Sequence, residues 1–277
     1  YLNKKNTILC DADSSGWSLS GYKADQSVHE QRPDPYAFKG FDPKGKKVIA
    51  FSKDWPLLKH PAIINAKKYI IESSHKRKVW IDYLKNNASS MIKKSTGLNQ
   101  QQKFCVLLLG HIGEEASGAK FLKNRHSWTT LVEDILDIIY DEWPEITILL
   151  RPHIITDMQC LEKIIATRKH IKIKITYLHP GLLAIFSKFS VATHYSTAFQ
   201  SISCLGGVTV EYTDQKLYYL KKLDFKSKRP EFTNYFFNND ENGFRNFLIK
   251  LKLCSIKVNI SEGSTEDPSN IINFLSN

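Results

Sequence analysis

The clearest pattern along the chain is a series of short apolar runs that alternate with amphipathic segments in its second half. Residues 104–109 are continuously apolar, as expected of a strand covered on both faces, and Gly110 ends that run. Short segments rich in apolar and β-branched residues predict four more strands, at 146–150, 171–177, 191–194 and 208–212, the last being the final strand.

Helices are predicted between these strands. Ser127 is a suitable N-cap for a helix that runs to about Trp143 and is stopped by Pro144. Shorter helices are predicted at 161–169, 182–189 and 198–204. Strands that alternate with helices indicate βαβ units, so the fold class is α/β with a parallel sheet of the Rossmann type.

The first half predicts a smaller α/β domain. Strands are expected at 7–10 and 48–52, and apolar residues recur at helical spacing over 61–94. Polar residues 86–102 are the best linker candidate, which divides the chain into domains 1–102 and 103–260 and a C-terminal tail or helix, 261–277. The residues expected to be buried in the helical stretch are Ile63, Ile64, Tyr69, Ile70, Val79, Trp80, Tyr83 and Leu84.

The charge balance narrows the possible partners. Lys and Arg number 39 against 28 Asp and Glu, which gives a net charge of +11 and a surface that attracts anions. Nucleic acid, anionic lipid headgroups and nucleotide diphosphates all fit. The basic residues form short scattered groups rather than one stripe with interleaved aromatics, so no nucleic-acid partner is expected.

The cysteines and the hydropathy profile indicate where the protein works. Five widely spaced cysteines without a Cys-x-x-Cys pair favour free thiols in a reducing compartment and argue against a cysteine-ligated metal. No apolar run approaches the roughly 20 residues that span a bilayer. We therefore expect a cytoplasmic protein, soluble or peripheral to a membrane. The chain starts at Tyr1 without Met, which is compatible with removal of an N-terminal segment.

Polar residues follow every predicted strand of the second half. In parallel sheets, ligands bind beyond the carboxyl ends of the strands, so these residues are candidates for a binding site. They are the glycine-bearing loop after Leu109 with His111 and Glu114, then Arg151 and His153, His179, the group His194, Ser196 and Thr197, and Glu211.

Each of these features also has a purely structural interpretation. Loops use glycine for backbone reasons, and an isolated histidine such as His153 or His179 is more often a capping residue than a ligand contact. Ser196 or Thr197 before a helix is first an N-cap, although helix N-termini also bind phosphate. Five polar turns at one edge of one sheet together predict a nucleotide site better than any single one.

Two motifs within residues 104–219 carry a family resemblance. The first joins the 107–110 strand end, Ser117-Gly118, the long helix and Arg151-Pro152-His153. The second, 191–212, is a strand running into Ser196-Thr197, a short helix, Leu205-Gly206 and a final strand. They resemble the donor-binding half of bacterial capsule-polysaccharide glycosyltransferases, the group that includes the β-Kdo transferases, which implies the GT-B fold of two Rossmann-type domains.

The sequence departs from that group in two places. The Kdo enzymes have Asp-Gln-Thr in the first loop, where this chain has Gly110-His111-Ile112, and their His-Pro pair is Pro152-His153 here. Both changes speak against a Kdo donor. They favour another activated sugar on a related frame, with a UDP-sugar preferred and a CMP-sugar possible.

The resemblance implies roles for the residues at the turns. Domain 1–102 would face the acceptor and 103–260 would bind the donor. Arg151 is suited to offset phosphate charge, Ser196 and Thr197 to hold the diphosphate, and Glu211 to accept hydrogen bonds from the ribose. His153, His179, His194 and Gln200 would complete the donor site. Candidates for the base are Asp13, Asp11, His111 and Glu114.

The predicted function is therefore metal-independent transfer of a sugar from a nucleotide-sugar to an oligosaccharide or other glycan acceptor, in polysaccharide biosynthesis. No cofactor is expected, and contact with an anionic membrane is compatible with the basic surface. Two alternatives stay open: a non-enzymatic module that binds polyanions, and a UDP-sugar epimerase on the same frame.

Overall fold

The computed structural model of the chain describes residues 8–10, 47–50, 67–70, 77–110, 112–113 and 122–253. The chain divides into two compact units. One comprises Tyr1–Trp80 with Glu262–Asn277, and the other comprises Ile81–Ser261. The C-terminal segment predicted at 261–277 lies outside the described residues.

The first unit contains a three-stranded parallel sheet. Its strands are β1 (Ile8–Cys10), β2 (Lys47–Ala50) and β3 (Lys67–Ile70), in that order. The first two confirm the predicted strands. The third lies inside the stretch predicted as helical, 61–94, and at 67–70 that prediction is wrong because pairing with β2 outweighs the local apolar spacing.

Helix α1 (Lys78–Thr96) follows, and it buries Ile81, Leu84, Ala88 and Ile92. Of the apolar residues expected to be buried here, Leu84 is buried, whereas Val79 and Tyr83 are exposed. The prediction treated 61–94 as one helix, whereas the structure has a strand and then a helix there, so the predicted buried face of the helix was shifted. The polar segment from residue 86 is helical up to Thr96 and is not a linker there.

The second unit is built on a six-stranded sheet. Its order is β6-β5-β4-β7-β8-β9, and every pairing is parallel, which confirms the parallel sheet. The prediction that the strand at 208–212 is the last one was wrong, because a further strand pairs with it. The strands are β4 (Phe104–Leu108), β5 (Thr147–Arg151), β6 (Ile173–Ile175), β7 (Ser190–Ala192), β8 (Thr209–Thr213) and β9 (Tyr235–Asn238).

Helices connect these strands. The Ser127 Oγ accepts a hydrogen bond of 3.1 Å from the Thr130 N–H, which confirms Ser127 as the N-cap of the first of them. The last helix was not predicted from the sequence. The helices are α2 (Trp128–Glu142), α3 (Met158–Thr167), α4 (Pro180–Ala184), α5 (Ala198–Cys204), α6 (Leu217–Lys222) and α7 (Glu241–Leu253).

The hydrophobic core of this unit lies between the sheet and its helices. All five residues of β4 are buried, as the continuous apolar run predicts. Leu131 and Ile135 of α2 and Phe244 of α7 pack in the same cluster, and burying each such side chain is worth about 1.5–3 kcal/mol. Cys105 and Cys204 are buried and form no disulfide. None of the helices in the described part of the chain is long and apolar enough to cross a membrane.

Candidate functional site

The candidate site is the carboxyl edge of the six-stranded sheet. Strands β5, β4, β7 and β8 are consecutive neighbours, so the residues that end them lie side by side. Arg151 is the last residue of β5 and pairs in register with Leu108 of β4, while Ala192 of β7 pairs with Glu211 of β8. The sheet therefore brings together Arg151, Gly110, His194 and Glu211 along one edge, as the sequence predicted for parallel strands.

The centre of the edge is a tight contact between Gly110 and His194. A Cβ atom at residue 110 would lie 2.6 Å from the His194 Cε1, so only glycine leaves room for the imidazole. The ring also lies 5.4 Å from the Trp128 ring between centroids, and its Nδ1 is 3.1 Å from the Thr193 Oγ1. These contacts hold His194 against the first loop.

Arg151 is a half-buried cation. Its Nε donates a hydrogen bond of 2.9 Å to the Leu178 carbonyl oxygen, and burial lowers the pKa of the guanidinium from its ordinary value. Among the residues that the structure describes, no carboxylate forms an ion pair with it, whereas Arg125, Arg168 and Arg245 all have such partners. A desolvated cation without a carboxylate is suited to an anionic ligand.

The loop after β5 is fixed to the first loop. The Thr156 hydroxyl donates to the Gly110 carbonyl oxygen at 2.9 Å and accepts from the His153 N–H at 2.9 Å. The side chain of His153 itself is exposed. The structure thus places His153 at the predicted edge, with its backbone anchored and its Nδ1 accepting a long hydrogen bond of 3.4 Å from the Ile155 N–H.

His179 has a structural task at the start of α4. Its Nδ1 accepts a hydrogen bond of 3.1 Å from the Gly181 N–H, which makes it the N-cap of that helix. A neutral imidazole that accepts at one nitrogen carries its proton at the other, so Nε2 is the protonated nitrogen in the neutral ring. The capping interpretation of this histidine is therefore correct.

The turn before α5 distinguishes the two predicted cap residues. Thr197 has helical backbone angles and makes no side-chain cap hydrogen bond, which leaves Ser196 as the capping side chain. The Ser196 Oγ accepts from the Ala198 N–H at 3.4 Å, near the upper limit for a hydrogen bond. Gln200 is buried, and its Nε2 donates to the Tyr195 hydroxyl at 3.3 Å.

Glu211 is an internal carboxyl group. Its side chain is 1% exposed, and its Oε2 accepts a hydrogen bond of 2.6 Å from the Ser227 Oγ. Burial raises its pKa to about 7, although the Ser227 hydroxyl and the Tyr195 backbone N–H both favour the charged form. A ribose would reach this group only after the Ser227 side chain moved. Glu211 is thus buried, whereas a residue that contacts a ligand from the open edge of the sheet would face solvent.

Sequence reasoning missed two residues that shape this edge. Ser227 covers Glu211, and nothing in the basic segment around it indicates that contact. Asp214 is fully buried and accepts hydrogen bonds from the backbone N–H groups of Asn124 and Arg125, at 2.7 and 2.9 Å. Asp214 lies in the polar turn that follows the strand predicted at 208–212, although no contact was predicted for it, and it holds the end of the first loop against that strand.

The predicted base candidates are not among the described residues. Asp11, Asp13, His111 and Glu114 all lie outside them, and their roles stay predictions. Gly113 in the same loop is described, and its N–H donates to the Thr129 Oγ1 at 3.0 Å. Within the described ranges, no group of three or more His, Cys, Asp or Glu side chains could hold a metal ion.

No family model and no curated protein matches the sequence. Among solved structures, the H548A variant of the wall teichoic acid polymerase TagF gives a TM-score of 0.50 at 12% identity, over 84% of this chain and 53% of that chain. The fold is that of the GT-B glycosyltransferases.

Two further solved structures extend the comparison. TagF itself gives a TM-score of 0.49 at 13% identity, with the same coverage of each chain. The glycosyltransferase of kitacinnamycin gives 0.38 at 7% identity, over 93% of this chain and 56% of that chain. The chain spans about half the length of these structures. At such identities the likeness concerns the GT-B fold alone.

Proposed function

We propose that this chain is a glycosyltransferase that moves a sugar from a nucleotide-sugar donor to a glycan acceptor without a metal ion. The observation that carries the proposal is Arg151, a half-buried guanidinium at the carboxyl edge of a Rossmann-type sheet with no carboxylate partner among the described residues. A nucleotide diphosphate would supply the missing negative charge, and the guanidinium can donate to two of its oxygens at once.

The neighbouring residues support a diphosphate in this position. Strand β4 separates β5 from β7, so at a strand spacing of about 4.8 Å the turns after β5 and β7 lie about 10 Å apart. A diphosphate between them would have Arg151 on one side and the hydroxyls of Ser196 and Thr197 on the other. The His194 ring lies over Gly110, between these two turns.

Transfer itself needs stabilisation of the leaving phosphate and a base for the acceptor hydroxyl. Arg151 would offset the charge that grows on the leaving diphosphate, and this is our reason for proposing that no metal is required. The base would come from Asp13, Asp11, His111 or Glu114. His153 and His179 would contact the donor, and Glu211 would contribute to the ribose end after movement of Ser227.

The proposed donor is a UDP-sugar, with a CMP-sugar as the second choice. The departures from the Kdo-transferase motifs, Gly110-His111-Ile112 and Pro152-His153, support this preference. A role in polysaccharide biosynthesis on the cytoplasmic side of a membrane is part of the same proposal, supported by the basic surface and the capsule-type motifs.

A nucleotide screen tests the proposal. Thermal unfolding and calorimetry would be measured with UDP, CMP, GDP and CDP, with and without EDTA. Selective stabilisation by one nucleotide is expected, worth about 3 kcal/mol at a ligand concentration of 100 times Kd. The effect should vanish in Arg151→Ala.

Arg168→Ala is the matched control. Arg168 lies at the C-terminal end of α3 and is also partly buried, but it forms ion pairs with Asp137 and Glu133 of α2. It should retain the response to the nucleotide. If no nucleotide stabilises the wild-type chain, the glycosyltransferase proposal fails, and binding to heparin would then favour the polyanion-binding alternative. Interconversion of free UDP-sugars without an acceptor would favour the epimerase.

A further inference from the structure

A short segment after β8 presents apolar side chains to solvent. Leu217 and Tyr218 of α6 are 53% and 55% exposed, and Phe225 in the following loop is 57% exposed. They lie within the nine residues from 217 to 225. Single exposed apolar residues are normal, but three large ones on a short helix and its loop are a local concentration of exposed apolar side chains.

The same segment is strongly basic. Between Gln215 and Pro230 there are six basic residues and a single acidic one, Asp224. Asp224 forms an exposed ion pair with Lys226. We call residues 216–229 the basic loop. Its basic residues are Lys216, Lys221, Lys222, Lys226, Lys228 and Arg229.

The backbone of the basic loop holds Phe225 outward. Helix α6 ends in a Schellman motif, in which the Phe225 N–H donates to the Leu220 carbonyl oxygen at 2.8 Å and the Asp224 N–H to that of Lys221 at 3.4 Å. Glycine is usual at the turn, but Asp224 and Phe225 adopt φ values of 52° and 56°. A bulky residue rarely adopts this conformation.

The ring of Phe225 is the unusual part of this motif. In a Schellman motif the residue at this position commonly packs against the one that accepts its hydrogen bond. Leu220 is buried, yet Phe225 stays more than half exposed. The fold thus accepts a strained backbone and keeps an aromatic ring in solvent.

The far end of the basic loop is fixed to the sheet. Ser227 is buried, donates to the Glu211 Oε2 at 2.6 Å and lies 2.9 Å from the Thr233 Oγ1. The part of the basic loop that follows α6 is therefore anchored at the C-terminal end of that helix and at β8, at the carboxyl edge of the sheet.

We propose that the basic loop binds the anionic surface of a lipid bilayer. Tyr218, Phe225 and Leu217 enter the interfacial layer, where amphipathic and aromatic side chains are favoured. The lysines contact headgroup phosphates, at about 1 kcal/mol for each basic residue near the surface. A polyanion in water would use the lysines but would leave Leu217 and Phe225 without a partner. This inference does not depend on the proposed sugar transfer.

Vesicle co-sedimentation of the full chain tests the proposal. Vesicles of phosphatidylcholine with about one third phosphatidylglycerol should bind the chain, and pure phosphatidylcholine should bind it much more weakly. Lys221→Gln with Lys226→Gln, which removes two charges, should lower the partition coefficient about thirtyfold. Phe225→Asn should also lower it about tenfold, while the melting temperature stays unchanged or rises, because asparagine tolerates the left-handed backbone.

Matched controls separate this surface from the general charge of the chain. Lys93→Gln with Lys94→Gln removes two exposed lysines of α1, and Val79→Asn removes an apolar side chain that is 84% exposed. Both should leave binding unchanged. An equal loss in the control lysine pair, or no preference for anionic vesicles, would overturn the proposal. Full vesicle binding by Phe225→Asn would also overturn it. If the variant with Lys221→Gln and Lys226→Gln then also lost binding to heparin, the lysines would form a site for a polyanion in water.

Discussion

The His194 imidazole lies so close to Gly110 that a Cβ atom at residue 110 would be 2.6 Å from its Cε1. The turns after β4 and β7 are thereby coupled, because a side chain added at residue 110 would displace the imidazole of His194. This contact places a histidine between Arg151 and the Ser196 turn, and it makes Gly110 a direct probe of the candidate site.

Gly110→Ala should displace His194. We expect the free energy of unfolding to fall by about 1–3 kcal/mol, as for other overpacked positions, and stabilisation by the nucleotide to be lost. Gly97→Ala is the control, because Gly97 has a φ of 73° but the heavy atom nearest to its would-be Cβ is the Lys174 Nζ, at 3.6 Å. It should cost about 1 kcal/mol and retain nucleotide binding. Retained binding in Gly110→Ala would show that the position of His194 is unimportant.

Arg151→Lys should bind the nucleotide about tenfold more weakly in calorimetry. Lysine keeps the charge but loses the planar fork, and it cannot donate to the Leu178 carbonyl oxygen and to a phosphate with the same geometry. Arg168→Lys, at the end of α3, should bind as the wild type does. Equal affinity of the lysine and arginine forms at position 151 would mean that charge alone is needed there.

Glu211 should make stability depend on pH. The pKa of its carboxyl is raised from 4.5 to about 7 in the folded chain, so between these values the folded state holds a proton that the unfolded state has lost. The free energy of unfolding should therefore fall as pH rises through this window, by about 3 kcal/mol in total. Urea denaturation between about pH 4.5 and pH 8 measures the slope.

Glu211→Gln should flatten that slope, because the amide cannot titrate but can still accept from the Ser227 hydroxyl. Glu162→Gln removes an exposed carboxylate of α3 and serves as the control. If the Glu211→Gln variant kept the pH dependence of the wild type, the effect would belong to other groups.

Asp214→Ala should lower the free energy of unfolding by about 3 kcal/mol in urea denaturation. The substitution leaves two partly buried backbone N–H groups, of Asn124 and Arg125, without their buried acceptor, and removes a carboxylate 3.5 Å from the Arg125 guanidinium. Asp240→Ala is the comparison, because Asp240 accepts from the Gly243 N–H in an exposed setting, and its loss should cost about 1 kcal/mol. Equal costs would contradict the structural role of Asp214.

The sequence was most informative where burial is complete. The apolar run of β4 and the N-cap and apolar face of α2 could be predicted because a covered strand and an amphipathic helix leave distinct periods. Strand β9 was missed because its four residues are only half-buried at the edge of the sheet. Helix α7 has its buried Phe244, Phe247, Leu248 and Leu251 at helical spacing, a signal that could have been found.

The candidate site was predictable in position but not in detail. The polar residues at the strand ends do lie along one edge, since that follows from parallel strands alone. The burial of Glu211 depends on Ser227, which returns to the sheet from a loop 16 residues later, and no local pattern encodes such a contact. The same holds for Asp214, which accepts a hydrogen bond from the Asn124 N–H, 90 residues away in the sequence.

The parallel sheet also sets the order in which this unit can fold. None of its neighbouring strands can be joined by a hairpin, because each parallel pairing needs a crossover connection. Strand β4, with five buried residues, pairs with β5 and with β7, and β7 begins only at Ser190. During synthesis, the apolar β4 therefore stays without its second neighbour until more than 80 further residues have been made. Pairings over such separations are slow to form, so the growing chain is exposed to aggregation in this interval.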